Sequence, residues 1–262
     1  MTALRIKLTH PPFAPMKFLI PLLLLATTLR AQDPRQIINR YLDKVSNGNV
    51  DNWYRIKSTY SESEVYYSHQ TYQQKASLFT ADKPSFNKTY RRLPHDSKVE
   101  LYDDSTYTNL TSRFYYRKDK IIILLGTMPA MIKQRSTKEE FLRDLLPLHL
   151  SGLIGKKSVA MQVIRVREFP VDGFSCYEIS MKTRERTYTL FINTDTFLLE
   201  YWNDREDGDL SILIKLYDYK DIEGLLIPMS ESSSVNGQTY YWSHIRMYVI
   251  NPDLDPEVFE YK

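Results

Sequence analysis

The fold is decided by residues 188–250, which read YTLFINTDTFLLEYWNDREDGDLSILIKLYDYKDIEGLLIPMSESSSVNGQTYYWSHIRMYVI. Apolar runs of strand length alternate here with short polar segments, a pattern typical of an antiparallel meander of four or five strands. Turns are predicted at Asn193-Thr194-Asp195 and in a segment that ends at Gly224. Two of the other polar segments contain Asp207-Gly208 and Asn236-Gly237. These dipeptides reach the positive φ values that a tight hairpin needs. The last third of the chain is therefore predicted to be a β-sheet.

The predicted strands of this sheet are apolar on one side. They are Tyr188–Ile192, Phe197–Trp202, Ser211–Tyr219, Ile227–Ser234 and Thr239–Ile250. Because side chains alternate along a strand, Ile212, Ile214 and Leu216 share one face. The same alternation places Ile245 and Met247 together, while the opposite face of that strand is aromatic and mixed. A sheet that is apolar on one side needs a second layer, either more protein or a bound apolar molecule.

Residues 1–31 are predicted to be a signal peptide that is removed. Met16-Lys17 precedes the apolar run Phe18–Thr28, and Ala31 offers a small residue for cleavage. The run is shorter than the roughly 20 residues that a membrane-spanning helix needs. A membrane anchor is the alternative interpretation of this run. With a signal peptide, the mature protein is a single domain of residues 32–262 that is exported to the periplasm and soluble after cleavage.

Charge and cysteine content narrow the classes of partner. The net charge of +3 comes from 35 Lys and Arg residues against 32 Asp and Glu residues, and four of the basic residues but none of the acidic ones precede residue 32. Cleavage therefore changes the formal charge to −1, and composition gives no support for nucleic-acid binding. Cys176 is the only cysteine. It cannot form an intramolecular disulfide, and we expect a buried, inert thiol.

One helix and several further strands are predicted before residue 188. Asp33-Pro34 supplies a capping residue and a first-turn proline for a helix whose apolar residues recur at helical spacing up to Val45. Three to five strands are predicted within residues 59–116, and a buried strand is predicted at Lys120–Leu125. Two more strands are predicted at Val163–Glu168 and Cys176–Met181.

A leucine-rich segment follows the apolar loop predicted at Gly126–Ile132. Ser136 and Glu139 form a capping box at the start of a second helix, and Pro147 is expected to interrupt it. The apolar side of this helix carries Phe141, Leu142, Leu145 and Leu146. A helix packed deep on the sheet explains these side chains, and so does a lid over an apolar cavity.

Six segments carry a resemblance to a known family. They are Ile37–Tyr41, Trp53–Ser58, Phe174–Ile179, Phe191–Leu199, Tyr217–Pro228 and Val249–Phe259. In this order and spacing they resemble the LolA/LolB-like family of outer-membrane lipoprotein-sorting proteins, in a divergent exported branch. No residue here matches the functional arginine of that family.

The resemblance implies a fold that is mainly β with α (α+β), a half-open antiparallel β-barrel with helices across the concave opening. It also implies a periplasmic carrier or chaperone-like protein that binds an acyl chain or another apolar ligand. The specific function that it implies is the sorting of lipoproteins to the outer membrane. The expected partners are a lipid or lipoprotein acyl chain, an envelope protein and, transiently, a membrane. The alternative is a non-enzymatic cell-envelope binding module that binds a protein and fills its concave side with its own side chains.

The candidate ligand-binding residues combine the lid with the aliphatic strand faces. They are Phe141, Leu142, Leu145, Leu146, Ile212, Ile214, Leu216, Ile245 and Met247. Motifs for a serine nucleophile, a phosphate-binding loop or a paired-cysteine metal site do not occur. The histidines are scattered rather than placed at metal-ligand spacing. We therefore expect no enzymatic activity, no cofactor and no metal.

Overall fold

The computed structural model describes residues 33–67, 84–93, 96–117, 120–134, 146–154, 156, 158–170, 172–182, 187–205, 212–235 and 238–261. Within these residues the chain forms three α-helices, thirteen β-strands and one 3₁₀ helix. The helices are α1 Pro34–Val45, α2 Asp51–Tyr54, α3 Leu146–Ile154 and the 3₁₀ helix Pro256–Phe259. The strands are β1 Ser58–Tyr67, β2 Ser85–Arg92, β3 Asp96–Tyr102, β4 Leu110–Tyr116, β5 Lys120–Leu125, β6 Met131–Gln134, β7 Ala160–Phe169, β8 Phe174–Lys182, β9 Thr187–Asn193, β10 Leu199–Arg205, β11 Ile212–Ile222, β12 Leu225–Val235 and β13 Gln238–Ile250.

All thirteen described strands belong to one antiparallel sheet. Two meanders, β1 to β6 and β7 to β13, are joined where the first strand pairs with the last, giving the order β6-β5-β4-β3-β2-β1-β13-β12-β11-β10-β9-β8-β7. Among the described strands, β6 and β7 are the two edges, so the sheet is open. The predicted fold, mainly β with helices and a half-open barrel, is confirmed.

The helices cover one face of the second meander, which we call the inner face. Asp33 accepts a hydrogen bond from the Arg35 amide, as predicted for a cap, at 2.9 Å. Helix α1 then contacts α3 and strands β7, β9 and β12. Its apolar stripe is buried with Leu190 and Ile192 of β9 in the main core. Burial of this amphipathic stripe, more than helix propensity, stabilises α1.

Two predicted turns are confirmed by side-chain hydrogen bonds. After β9, the Asn193 carboxamide oxygen accepts from the amides of Asp195 and Thr196 at 2.9 and 3.1 Å. Between β11 and β12, Gly224 adopts a φ of 82°, and its amide donates to the Asp221 carboxylate at 2.8 Å. The Asp207-Gly208 and Asn236-Gly237 turns lie outside the described residues.

One prediction about the segment before α3 is wrong. The loop predicted to extend to Ile132 ends earlier, because Met131 pairs with Ile123 and begins β6. Helix α3 begins at Leu146 with Pro147 in its first turn, where a missing amide hydrogen costs nothing. The helix predicted to begin at Ser136 lies outside the described residues up to Leu146, so its interruption at Pro147 stays a prediction. The strand predicted at Lys120–Leu125 is confirmed, but of its six residues only Ile122 is buried.

A β-bulge reverses the alternation of side chains in β13. Ile245 and Met247 lie opposite consecutive residues of β1, so Arg246 is the extra residue of the bulge. An extra residue moves every following side chain to the other face. Tyr248 therefore turns into the core, and Met247 lies on the outer face with 46% of its surface exposed. The prediction that Met247 shares a face with Ile245 is wrong.

Candidate functional site

A cavity of about 290 Å³ lies on the inner face where the two meanders meet. Its walls come from strands β1 to β4 and β11 to β13. Helix α1 contacts the sheet at β7, β9 and β12, and the 3₁₀ helix contacts β3. No residue of a described helix is among the residues that line the cavity. The sheet itself, rather than the turns between its strands, therefore supplies most of the lining.

One side of the cavity is an aliphatic wall. We define it as Leu216 of β11, Ile227 and Met229 of β12, and Ile245 of β13. Leu216, Ile227 and Met229 are buried and continuous with the main core. This continuity fixes their positions, because close-packed side chains have little freedom to rearrange.

The facing side is a polar patch of small side chains. We define it as Ser61 and Ser63 of β1 with Asn87 and Thr89 of β2. The strand register places Ser61 opposite Thr89 and Ser63 opposite Asn87, so the four form two adjacent cross-strand pairs. Their small volume leaves the space that the aliphatic wall faces.

Charged and phenolic groups also line the cavity. Arg91 lies on β2, two residues beyond the polar patch, and Glu231 and Tyr241 lie on β12 and β13. Burial, followed by the negative charge of Glu231, raises the pKa of Tyr241 well above its ordinary value. The Tyr241 phenol is therefore neutral at physiological pH and presents a hydroxyl group to its surroundings.

The structure brings two of the nine predicted site residues to the cavity. Leu216 and Ile245 line it, whereas Ile214 is buried in the main core and Ile212 packs against that core. Met247 lies on the other face, for the reason given above. Phe141, Leu142, Leu145 and the side chain of Leu146 lie outside the described residues.

Sequence reasoning missed the polar patch and half of the aliphatic wall. The signal for β1 was available, because residues 59–66 alternate small side chains with tyrosine and glutamate. The small residues of this stretch are the buried ones, Thr59, Ser61, Ser63 and Val65. Ile227 and Met229 were included in a predicted strand but their face was not assigned. Once such a face is known to be buried, its small side chains leave space that larger core side chains would fill.

An outer-face chain of hydrogen bonds links Asp218, Ser230 and His244. The Ser230 hydroxyl donates to Asp218 Oδ2 at 2.7 Å, and its Oγ lies 2.7 Å from His244 Nδ1. In a serine hydrolase the histidine stands between the acid and the nucleophile, whereas here the serine does. Ser230 is also 2% exposed, so its oxygen is closed to a substrate. This geometry suits a structural network.

A second outer-face network surrounds the buried carboxylate of Glu100. Lys98 Nζ lies 2.9 Å and Arg113 Nε 3.1 Å from Glu100 Oε1, and the Tyr102 hydroxyl donates to Oε2 at 2.9 Å. Burial alone would raise the pKa of Glu100, but the bonds from Lys98 and Tyr102 and the charge of Arg113 hold it below its ordinary value. The carboxylate is therefore ionised in the folded protein.

Cys176 lies in the outer-face cluster with Phe191 and Tyr201 and is fully buried, as predicted. Burial, then the charges of Glu200 and Asp172, raise the pKa of its thiol to about 12. A thiol that stays protonated is a poor nucleophile. Among the described residues, no group of three or more His, Cys, Asp or Glu side chains is placed to hold a metal ion.

No protein-family model matches the sequence, and no curated protein matches it significantly. Solved structures match over most of the chain. A LolA superfamily protein from Nitrosomonas europaea is 10% identical with a TM-score of 0.53, over 85% of this chain and 97% of that one. The chain has the LolA fold. An outer membrane lipoprotein-sorting protein domain from Vibrio parahaemolyticus gives 8% identity and a TM-score of 0.54, over 86% of this chain and 95% of that one.

A DUF1329 family protein from Desulfovibrio piger also has this fold, with 13% identity and a TM-score of 0.55 over 87% of this chain and 98% of that one. In the part of the chain that the structure describes, each helix is too short or too polar to cross a bilayer.

Proposed function

We propose that the protein is an exported, non-enzymatic carrier that holds an acyl chain or another apolar ligand on the inner face of its LolA fold. The aliphatic wall is the observation that supports this proposal most directly. Leu216, Ile227 and Met229 are held by the core and border open space rather than a facing layer of apolar side chains. A concave apolar surface of this kind is the usual form of a small-molecule site.

The volume of the cavity limits how much of a ligand it holds. About 290 Å³ accommodates roughly ten non-hydrogen atoms if each takes about 30 Å³, the share of a water molecule in the liquid. Eight buried methylenes would gain about 6 kcal/mol before costs, at about 0.8 kcal/mol each. Association costs at least about 4 kcal/mol. The net binding is weak, which suits a carrier that must release its cargo.

The leucine-rich segment that leads into α3 and includes its first residue, Leu146, would complete the carrier as a lid. Phe141, Leu142, Leu145 and Leu146 would cover the aliphatic wall when the cavity is empty and compete with the ligand. Such competition lowers the apparent affinity without weakening the contacts that select the ligand. The carrier would work in the periplasm, touch a membrane only transiently, and sort lipoproteins to the outer membrane.

The test replaces one residue on each face of β13. We expect Ile245→Asn to weaken decanoic acid binding about tenfold, because it places an unpaired amide on the aliphatic wall. Met247→Asn is the matched control, because Met247 is two residues away on the outer face, and it should bind decanoic acid like the wild type. Isothermal titration calorimetry measures both, with urea unfolding to check that each variant folds. Equal affinities for all three proteins would contradict the proposal.

An alternative function is supported by the β6 edge. Met131 and Ile132 of β6, with Met128 just before it, are exposed on a strand that pairs on one side only among the described strands. An exposed apolar edge strand can pair with a strand of another protein. This placement favours a cell-envelope binding module with a protein partner.

Native mass spectrometry of protein purified from its own cell envelope separates the two functions. The binding module predicts a co-purifying protein that is lost with Ile132→Asp and retained with Ile164→Asp, which alters an exposed isoleucine on the opposite edge strand β7. The carrier predicts a co-purifying lipid that is retained in both variants. A bare mass for the wild type would count against both.

A further inference from the structure

The hydroxyl-bearing residues of the polar patch are almost completely buried. The exposed fractions of Ser61, Ser63 and Thr89 are 4%, 8% and 8%. The Asn87 carboxamide oxygen is buried and has no partner among the described residues. It therefore lacks the partner that a buried polar group normally has, and the three hydroxyls beside it can each donate or accept a hydrogen bond.

Neither water nor a plain hydrocarbon makes favourable contacts with both sides of the cavity. Water would pair with the polar patch but would leave the aliphatic wall of Leu216, Ile227 and Met229 wet. A plain hydrocarbon would cover that wall but would leave the patch unpaired, which is unfavourable in an enclosed site. The two sides together call for a molecule with an apolar chain and a group that both donates and accepts hydrogen bonds.

We infer that the cavity takes a medium-chain aliphatic molecule that carries an uncharged amide, with the chain on the aliphatic wall and the amide on the polar patch. This inference rests on the proposed carrier function and names its ligand class. The amide N–H donates to the Asn87 oxygen, and a Ser61, Ser63 or Thr89 hydroxyl donates to the amide carbonyl. An ester supplies only the acceptor, so it leaves the Asn87 oxygen without a donor.

An amide suits the patch better than a carboxylate, because an ionised carboxylate, like an ester, offers no donor to the Asn87 oxygen. Arg91 and Glu231 also line the cavity and carry opposite charges, so together they add no net charge that would favour an ion. The two cross-strand pairs, Ser61 with Thr89 and Ser63 with Asn87, match a planar group that is donor on one edge and acceptor on the other.

The test compares octanamide with methyl heptanoate, two probes matched in number of non-hydrogen atoms. We expect the wild type to bind octanamide about fivefold to tenfold more tightly in isothermal titration calorimetry, since one additional hydrogen bond is formed. Asn87→Leu keeps the size of the side chain and removes its oxygen, so it should abolish this preference. Ser232→Ala, on the outer side of β12, is the control and should keep it.

Failure of this inference is distinguishable from failure of the carrier function. Equal affinities for the two probes in the wild type, or a preference that survives Asn87→Leu, would overturn the amide assignment. So would binding of decanoic acid without binding of octanamide, a result that leaves the carrier function standing. Absence of binding for all three probes would overturn both.

Discussion

Replacement of Ile38 by alanine is expected to lower the free energy of unfolding by about 3 kcal/mol, the usual cost of removing a large aliphatic side chain from a core. Ile38 lies in α1 and is 0% exposed. It belongs to the main core together with the inner-face residues of β9. The loss should appear in urea unfolding as a lower midpoint with an unchanged slope.

This experiment decides whether α1 is part of the core or a movable cover. The matched control is Ile164→Ala, because Ile164 is 48% exposed on β7 and its truncation should change stability by less than about 0.5 kcal/mol. If Ile38→Ala were as mild as the control, α1 would not be fixed to the sheet. The described helical layer would then be a candidate lid, contrary to the packing seen here.

Replacement of Glu100 by glutamine is expected to cost about 2 kcal/mol. The change leaves Lys98, whose side chain is 14% exposed, without its carboxylate partner. A fully buried pair would lose about 3 to 5 kcal/mol, but the Arg113 side chain is 41% exposed, and solvent screens its share. The control is Asp96→Asn, which removes the partner of the 42% exposed Arg92 side chain and should cost less than about 1 kcal/mol.

The same carboxylate makes stability depend on pH. The pKa of Glu100 is lower in the folded than in the unfolded protein, so the folded state binds fewer protons. The stabilisation is therefore fully present above the unfolded pKa of about 4.3 and is lost as pH falls through the folded pKa. Urea unfolding between neutral and acidic pH should show a smaller acid-induced loss in Glu100→Gln than in the wild type. An equal loss in both would show that other carboxylates control acid unfolding.

Most of the sheet could be predicted from local sequence. Turn residues such as Asn193 and Gly224 form hydrogen bonds with residues only a few positions away, so the turns can be predicted from the local sequence. The first helix could be predicted for the same reason, because Asp33 caps it directly. Fold class followed from the order of these elements together with the family resemblance.

The cavity was less predictable because it depends on pairing between distant strands. The bulge at Arg246 is set by how β13 meets β1, and nothing in the alternation of β13 itself reveals it. Met247 was therefore assigned to the wrong face. The polar patch was missed for a related reason. Serine and threonine on a strand usually indicate a solvated face, and only the structure shows that these residues are buried and line a cavity.

The junction between β1 and β13 has a consequence for how the protein is made. Asn251, just after β13, accepts a hydrogen bond from the Lys57 amide across a separation of 194 residues, and the strand pairing begins beside it with Thr59 opposite Ile250. Contacts between the two ends of a chain give a high contact order and slow folding. The central seam of the sheet cannot close until β13 has been synthesised, so the two meanders are joined only late in folding.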